Sequence, residues 1–459
     1  MAKKIVIIGA VACGTKAASR LRRLDSQVEI VLVDQAKIIS YGACGLPYYL
    51  ADQIPKIEKL YYSRQGVRDA EYFRKIKKID KVYTETKALK IDRQKQTVLL
   101  QDLLSGKEFS ESYDKLLLAT GANAIRPPLD NIEAENIFNL KTPADGVAIK
   151  KLLQAGKVKK PAIVGAGLIG IEVAEALRSY QLPVQLIDMA DTILPNLFDP
   201  EMATDIADKL SGNSVQLFLN AQVEKFLTDE HNKVRGLQLA DQEIATDLVI
   251  LAVGFAPNTI LAQEAGLKLA KNKALLVDEY FRTSDPNIYA GGDCIINRSR
   301  VTQQLVYTPL GDLANIQGRI IADNIITDNS ISYRGVIQNA VTKFEDLKMG
   351  AAGISESQAR KMGYTVQSAI VKAPDKAGYY PDDKRLKLKM VAEQGSGKIL
   401  GVQVTGSGNV SKALNTISTL LSYEGTLHDL SQADLAYSPA FSPALDILIV
   451  AANVLGNKI

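Results

Sequence analysis

A single thiol, Cys44, lies in Ser40-Tyr-Gly-Ala-Cys-Gly-Leu-Pro-Tyr-Tyr49, where two glycines and a proline predict a tight turn running into a helix. A sulfur just before a helix start lies near unpaired N–H groups and the positive end of the helix dipole, which favours thiolate over thiol. Such a sulfur can form a mixed disulfide with a small thiol or pass through a sulfenic acid. The same residues also fit a small buried cysteine in a glycine-rich turn. Two dinucleotide-binding patterns in the same chain favour the chemical reading.

The first pattern lies just upstream. Ile5 to Ile8 reads as a buried strand, Gly9 and Gly14 as the turn, and Ala17, Ala18, Leu21 and Leu24 as a helical stripe. Val11 stands where the middle glycine usually falls, followed by Ala12. Val28 to Val33 forms the next strand and ends at Asp34. A helix N-terminus at such a turn accepts a pyrophosphate, and the acidic residue accepts a ribose hydroxyl. The second pattern, Pro161 to Gly170, has all three glycines, Gly165, Gly167 and Gly170, and opens a helix through Leu168 and Ile169. Its following strand, Val184 to Ile187, ends at Asp188, with no nearby arginine to take a 2′-phosphate, so NADH is preferred over NADPH.

Between and beyond these units, further strands end in glycine turns. Ala119-Thr120-Gly121 closes one, Ala252 to Asn258, with Gly254, closes another, and Gly291-Gly292 brings Asp293 within reach of a ligand's polyol. After about residue 327 the pattern becomes α+β. Leu386, Leu388 and Met390 alternate along a strand, Ile399 to Val404 is its expected hairpin mate, and Ala413 to Leu421 reads as an amphipathic helix.

The 459 residues are too many for one core, and their net charge of +4 with scattered basic residues does not imply nucleic acid. Lys75, Lys77, Lys78 and Lys81 read as a solvated face. The three cysteines, Cys13, Cys44 and Cys294, show no metal or disulfide spacing, so no metal is expected and a reducing cytoplasm fits best. Cys13 is read as packing. Lys3 to Ala12 is expected to be a strand rather than a signal segment, and Ala444 to Leu455 too short and interrupted to span a membrane.

Along essentially its whole length the chain resembles the flavoprotein reductases with two dinucleotide-binding domains, on the motifs Gly9 to Gly14, Ala119 to Gly121, Gly165 to Gly170, Ala252 to Asn258, Ala290 to Asp293 and Pro309 to Asn315. The resemblance implies an α/β fold with two Rossmann-like domains and a C-terminal α+β dimerisation domain. The expected divisions are 1–119 and 248–326 for FAD, 120–247 for NAD, and 327–459 for a homodimer contact. It adds Glu172 and Ala314 to the cofactor-binding residues.

Within that family the chain is most similar to the single-cysteine branch, which contains coenzyme A disulfide reductase, NADH oxidase, NADH peroxidase and NADH-dependent persulfide reductases. Pro47, Tyr48 and Tyr49 occupy the region where a second redox cysteine would stand, and Ala12 stands where the oxidase and peroxidase members have a histidine. The implied reaction passes electrons from NADH through FAD to a disulfide or persulfide at Cys44. Lys16, Arg20, Arg23 and Ser40 match coenzyme A contacts, and Tyr379 and Tyr437 match tyrosines that reach from a partner subunit toward the cysteine. Ala43 and Leu445 depart from the coenzyme A-binding pattern. The alternatives are an NADH oxidase using oxygen, and a flavoprotein exchanging electrons with an iron–sulfur partner.

Overall fold

Runs of β-branched and leucine residues build two parallel sheets in the computed structural model, which describes residues 3–382 and 384–459. The first sheet has Ile288–Ala290, Lys115–Leu118, Lys4–Ile8, Glu29–Val33 and Lys81–Tyr83 side by side in that order. The second has Ile137–Asn139, Leu248–Leu251, Pro161–Val164, Val184–Ile187 and Val215–Phe218. Ile5, Ile7, Ile30 and Leu32 in one sheet, and Ile163, Leu186 and Ile250 in the other, are fully buried, as parallel strands covered on both faces require. Each unit also carries a three-stranded antiparallel layer, within residues 86–112 and 223–245 respectively. The duplication legible in the glycine turns therefore extends to whole units.

Two antiparallel segments, Ala122–Ala124 and Phe255–Pro257, form the ribbon by which the chain leaves the first unit and returns to it. This corrects the expected division at 247/248. Leu248–Leu251 pairs in register with Pro161–Val164 and belongs to the second sheet, so the return begins after Leu251. A continuous apolar strand carries no mark of which sheet it joins.

The C-terminal unit is a five-stranded antiparallel sheet, with helices Val410–Leu421 and Ile447–Gly456 in its core. The expected hairpin is present, with Leu388 opposite Val404 and Met390 opposite Val402. The apolar stretch near residue 450 is this last short helix, and among the described residues no helix is long and apolar enough to cross a membrane.

Lys389 ties this sheet to the second dinucleotide unit. Its ammonium, 1% exposed, contacts Asp199 at 2.9 Å and Glu356 at 2.8 Å, and pairs with Glu201. Burial alone would raise the carboxyls of Asp199 and Glu356, but hydrogen bonds from Lys389 and neighbouring groups hold both below the ordinary range, Glu356 at about 2. Carboxylates with depressed folded values stabilise above the ordinary carboxylate pKa, and that contribution is lost as pH falls through the folded value. Glu356→Gln should lower the melting temperature at pH 7 and flatten its decline between about pH 4.5 and 2. Melting curves across that window check this.

Candidate active site at Cys44

The Cys44 turn is built by three backbone contacts. Ser40 N–H donates to Ala10 O at 2.8 Å, Gly42 N–H to Leu60 O at 2.8 Å, and Gly45 N–H to Gly42 O at 3.0 Å. Ala43–Gly45 forms one 3₁₀ turn that continues into helix Leu46–Leu50, with Pro47 in its first turn. Leu46, Tyr49 and Leu50 pack into the core of the second dinucleotide unit, so the cysteine stands where the two units meet.

On the first unit, Gly9 adopts φ +104°, and a Cβ there would lie 2.1 Å from Ala119 O. The turn leads into helix Cys13–Leu24, whose first residues have no side-chain cap. Asp34 accepts the N–H of Ala10 at 2.7 Å and of Ala36 at 2.8 Å, and burial keeps its carboxyl above the ordinary value. Thr120 Oγ1 donates to Asn258 O at 2.6 Å, joining the Ala119-Thr120-Gly121 turn to the returning chain. Asp293 is also raised by burial, with Lys141 opposing. No donor among the described residues hydrogen-bonds the Asp293 carboxylate, as suits a group that accepts from a ligand polyol. Ala314 is buried near the start of helix Gly311–Thr327. An uncapped helix start behind a crowded glycine, and two half-buried carboxylates just past strand ends, fit the pyrophosphate, ribose and polyol of FAD.

The second unit repeats this arrangement. Gly165 has φ +111°, and a Cβ there would lie 2.4 Å from Ala252 O. Asp188 accepts the N–H of Ala166 at 2.6 Å and of Ala190 at 2.8 Å. Helix Leu168–Arg178 starts at Leu168 and Ile169 with no side-chain cap, Gly170 lies in its buried first turn, and Gly254 (φ +96°) turns the chain nearby. Gly167 differs from its neighbours because a Cβ there meets nothing of the protein within 4 Å. Open space in front of this turn suits the close approach of a pyrophosphate expected from the sequence pattern. Gly167→Ala should therefore leave the melting temperature within about 2 °C of the parent but raise the KM for NADH about tenfold or more, since a methyl there keeps the pyrophosphate from the backbone. Steady-state kinetics and a melting curve separate the two effects.

Three carboxylates from three different segments surround Cys44 electrostatically: Glu172, Asp293 and Asp312. The side chain is solvent-accessible. Although the residue is exposed, the protein around its sulfur partly desolvates the thiol, and that first, with these charges second, pushes its pKa above the ordinary value. These influences oppose the helix-terminus effect on which the sequence expectation of a favoured thiolate rests. The helix behind the sulfur is one short turn of dipole, and the acidic groups that oppose it come from residues far apart in sequence. Glu172 accepts Thr342 Oγ1 at 3.0 Å and is itself raised by burial, so the group nearest the second glycine turn is partly desolvated.

The other expected site residues divide into two groups. Ser40 is buried with φ +54°, and Lys16 and Arg23 lie along helix Cys13–Leu24. Arg20 is instead held by Asp323, with Nη2–Oδ1 at 2.6 Å, so of the three matched cations it is the one already ion-paired. Val11 and Ala12 form the first turn's outer edge. Tyr379 and Tyr437 are 76% and 53% exposed, interact with each other, and make no hydrogen bond to Cys44 among the described residues. Cys13 packs in the first core, as expected. Lys75 and Lys81 pair with Glu71 and with Glu29 and Glu111, as a solvated face would. Sequence reasoning missed Lys141, whose ammonium burial holds below its ordinary value beside Asp293 and Asp145, and Tyr307, whose hydroxyl donates to Asp293 O at 2.9 Å. Tyr307 precedes the Pro309 to Asn315 motif by two residues, the only signal available for it.

Two glycine turns of dinucleotide-binding type, each backed by an acid that closes the next strand, and an exposed cysteine where their units meet are the features of a flavin-linked nicotinamide oxidoreductase. The chain belongs to the pyridine nucleotide-disulphide oxidoreductases: residues 3–308 match that family's model and residues 339–448 its dimerisation domain. It is an enzyme that uses FAD and a nicotinamide dinucleotide. The chain is 33% identical over 455 residues, 99% of each chain, to an NAD(P)H coenzyme A polysulfide/persulfide reductase of Pyrococcus horikoshii. It is 32% identical over 450 residues, 98% of each, to an NADH oxidase of Methanocaldococcus jannaschii. Among solved structures, an NAD-dependent persulfide reductase from A. fulgidus superposes with a TM-score of 0.96 at 40% identity, covering 99% of this chain and 83% of that one.

Proposed function

We propose that this enzyme reduces the disulfide or persulfide of a small thiol at Cys44, using NADH. The observation that carries this reading is the solvent-accessible Cys44 beside the residues of both dinucleotide sites, with no second cysteine near it to form an internal pair: Cys13 and Cys294 are buried in the first unit's core. FAD, when bound, supplies the passage of an electron pair from NADH to sulfur. The chain's residues do the rest. Cys44 sulfur attacks the acceptor's S–S bond, forming a mixed disulfide and releasing one thiolate, and two electrons then split that mixed disulfide and release the second sulfur. Asp188, with Met189 and Ala190 after it, supports NADH over NADPH.

Coenzyme A is the proposed thiol, supported by Lys16 and Arg23, seven residues apart on helix Cys13–Leu24, and by the name of the Pyrococcus relative. Leu445 and Ala43 do not supply the polar groups of the pattern it resembles. A homodimer is proposed from the matched dimerisation domain and from the exposed Tyr379, Tyr437, Phe441 and Leu445, which in a dimer would bring the two tyrosines toward the partner's cysteine. A reducing compartment such as the cytoplasm suits an unpaired Cys44.

The second reading, an NADH oxidase, is favoured by the Methanocaldococcus relative. Product analysis decides between them. Thiol formed from coenzyme A disulfide or persulfide under argon, at a rate exceeding NADH consumption under air without acceptor, supports the reductase. Rapid NADH loss under air to peroxide or water, with no thiol under argon, overturns it.

A further inference from the structure

A lysine stands in the apolar stripe of helix Pro143–Gln154, between Ile149 and Leu153, and is only 3% exposed. Its ammonium crosses to the Cys44 helix. Lys150 Nζ donates to Tyr49 O at 2.7 Å, pairs with Asp52 Oδ1 at 2.7 Å, and lies 4.0 Å from the centroid of the Tyr49 ring. Tyr180, at the end of helix Leu168–Arg178, supplies the next contact: its hydroxyl is 3.0 Å from Leu50 O and 2.9 Å from Asp52 Oδ2. The last carbonyls of helix Leu46–Leu50 therefore bond to side chains of the second dinucleotide unit rather than to water. Asp52, with φ +58°, bridges the two donors, and hydrogen bonding from Lys150 leads the influences that hold its carboxyl below the ordinary range. Gly146 lets the helices approach, since a Cβ there would lie 3.0 Å from Leu46 Cδ2.

We propose that Lys150, Asp52 and Tyr180 form a latch that sets the position of Cys44 relative to the nicotinamide site, and that they are positioning residues for the sulfur step. The inference rests on the reading of Cys44 as the sulfur that meets the acceptor. Cys44 lies on the first unit, while Tyr180 stands two residues beyond helix Leu168–Arg178, which begins at the second glycine turn. Helix Leu46–Leu50 has only five residues, and although Leu46 and Leu50 are fully buried, apolar packing sets its depth between the units while polar contacts at its end set its axial position. Burying an ammonium against a backbone carbonyl and a tyrosine face is costly unless the geometry is held, so a lysine here fixes both partners. A hydrophobic residue of similar length would fill the same volume without fixing the register.

The test compares Lys150→Met, Lys150→Arg and Tyr180→Phe in the FAD-loaded enzyme. Three quantities are read: thiol-forming turnover with coenzyme A disulfide, NADH–ferricyanide turnover, which bypasses the sulfur, and the alkylation rate of Cys44 by iodoacetamide. Lys150→Met should lower kcat with the disulfide about tenfold or more, change the Cys44 alkylation rate at least threefold, and leave KM for NADH and ferricyanide turnover within twofold. Lys150→Arg, which keeps the donor to Tyr49 O, should recover most of kcat, and Tyr180→Phe should show a smaller loss of the same kind. Equal loss of both turnovers, or disulfide turnover and alkylation unchanged in a well-folded Lys150→Met, overturns the proposal. If Lys150→Met does not fold, Asp52→Asn and Tyr180→Phe give the same split or its absence. Cys44→Ser, run alongside, separates this failure from that of the functional reading: if it keeps disulfide turnover, the site itself is wrong, whereas if it alone is inactive, only the latch is.

Discussion

Replacing Cys44 with serine is expected to lower disulfide- or persulfide-dependent NADH oxidation by about a thousandfold or more, as removal of a reacting nucleophile does. The same variant should keep its FAD and its NADH–ferricyanide turnover within about twofold. The separation follows from where the side chain sits. Cys44 is solvent-accessible in a turn whose hydrogen bonds are all backbone to backbone, so a hydroxyl costs the fold little. What is lost is a sulfur that can form and release an S–S bond. Raised as its pKa is by burial and by Glu172, Asp293 and Asp312, Cys44 should also react with iodoacetamide with a midpoint above that of a free cysteine, near 8.5. Disulfide turnover surviving in the serine variant would remove the cysteine from the mechanism.

The second large effect falls on the fold. Gly9→Ala should destabilise the first dinucleotide unit by more than about 3 kcal/mol, because it adds left-handed strain to a steric collision. The strain comes from φ +104°, and the collision from a Cβ placed 2.1 Å from Ala119 O, in the residue that follows strand Lys115–Leu118 and is held by its N–H bond to Ile8 O at 2.8 Å. FAD binding and solubility should fail together. Gly167→Ala sits in an outwardly similar glycine turn but meets only open space, so it should harm NADH binding and spare the fold. FAD content after purification, with a urea unfolding curve, reads the first effect. A Gly9→Ala protein that retains FAD and unfolds at the parent's urea concentration would mean that the turn is not packed as described.

Most of the fold was legible because its signals are local. Strand runs such as Ile5 to Ile8, glycines demanded by a turn, and the acid closing the next strand each lie within about 35 residues of one another, and both copies appear where expected. What the sequence left unmarked depends on partners distant along the chain. Leu248–Leu251 is equally apolar on either sheet, and only its pairing with Pro161–Val164 shows which it joins. Arg20 looks like its neighbours Lys16 and Arg23 until Asp323, some three hundred residues later, is brought against it. The raised thiol of Cys44 likewise reflects Glu172, Asp293 and Asp312, which share no spacing with it. Lys150 left one faint sign, a charge within an apolar stripe, but its partners Tyr49 and Asp52 are a hundred residues upstream.

An anaerobic NADH titration of enzyme first reacted with coenzyme A disulfide, and then freed of excess reagent, tests the role of Cys44 most directly. A mixed disulfide on Cys44 and one FAD each take up two electrons, so full reduction should require two NADH per subunit and release one thiol, while the Cys44→Ser protein should require one NADH and release none. One NADH per subunit in the parent enzyme, with no thiol released, would contradict a redox role for that sulfur.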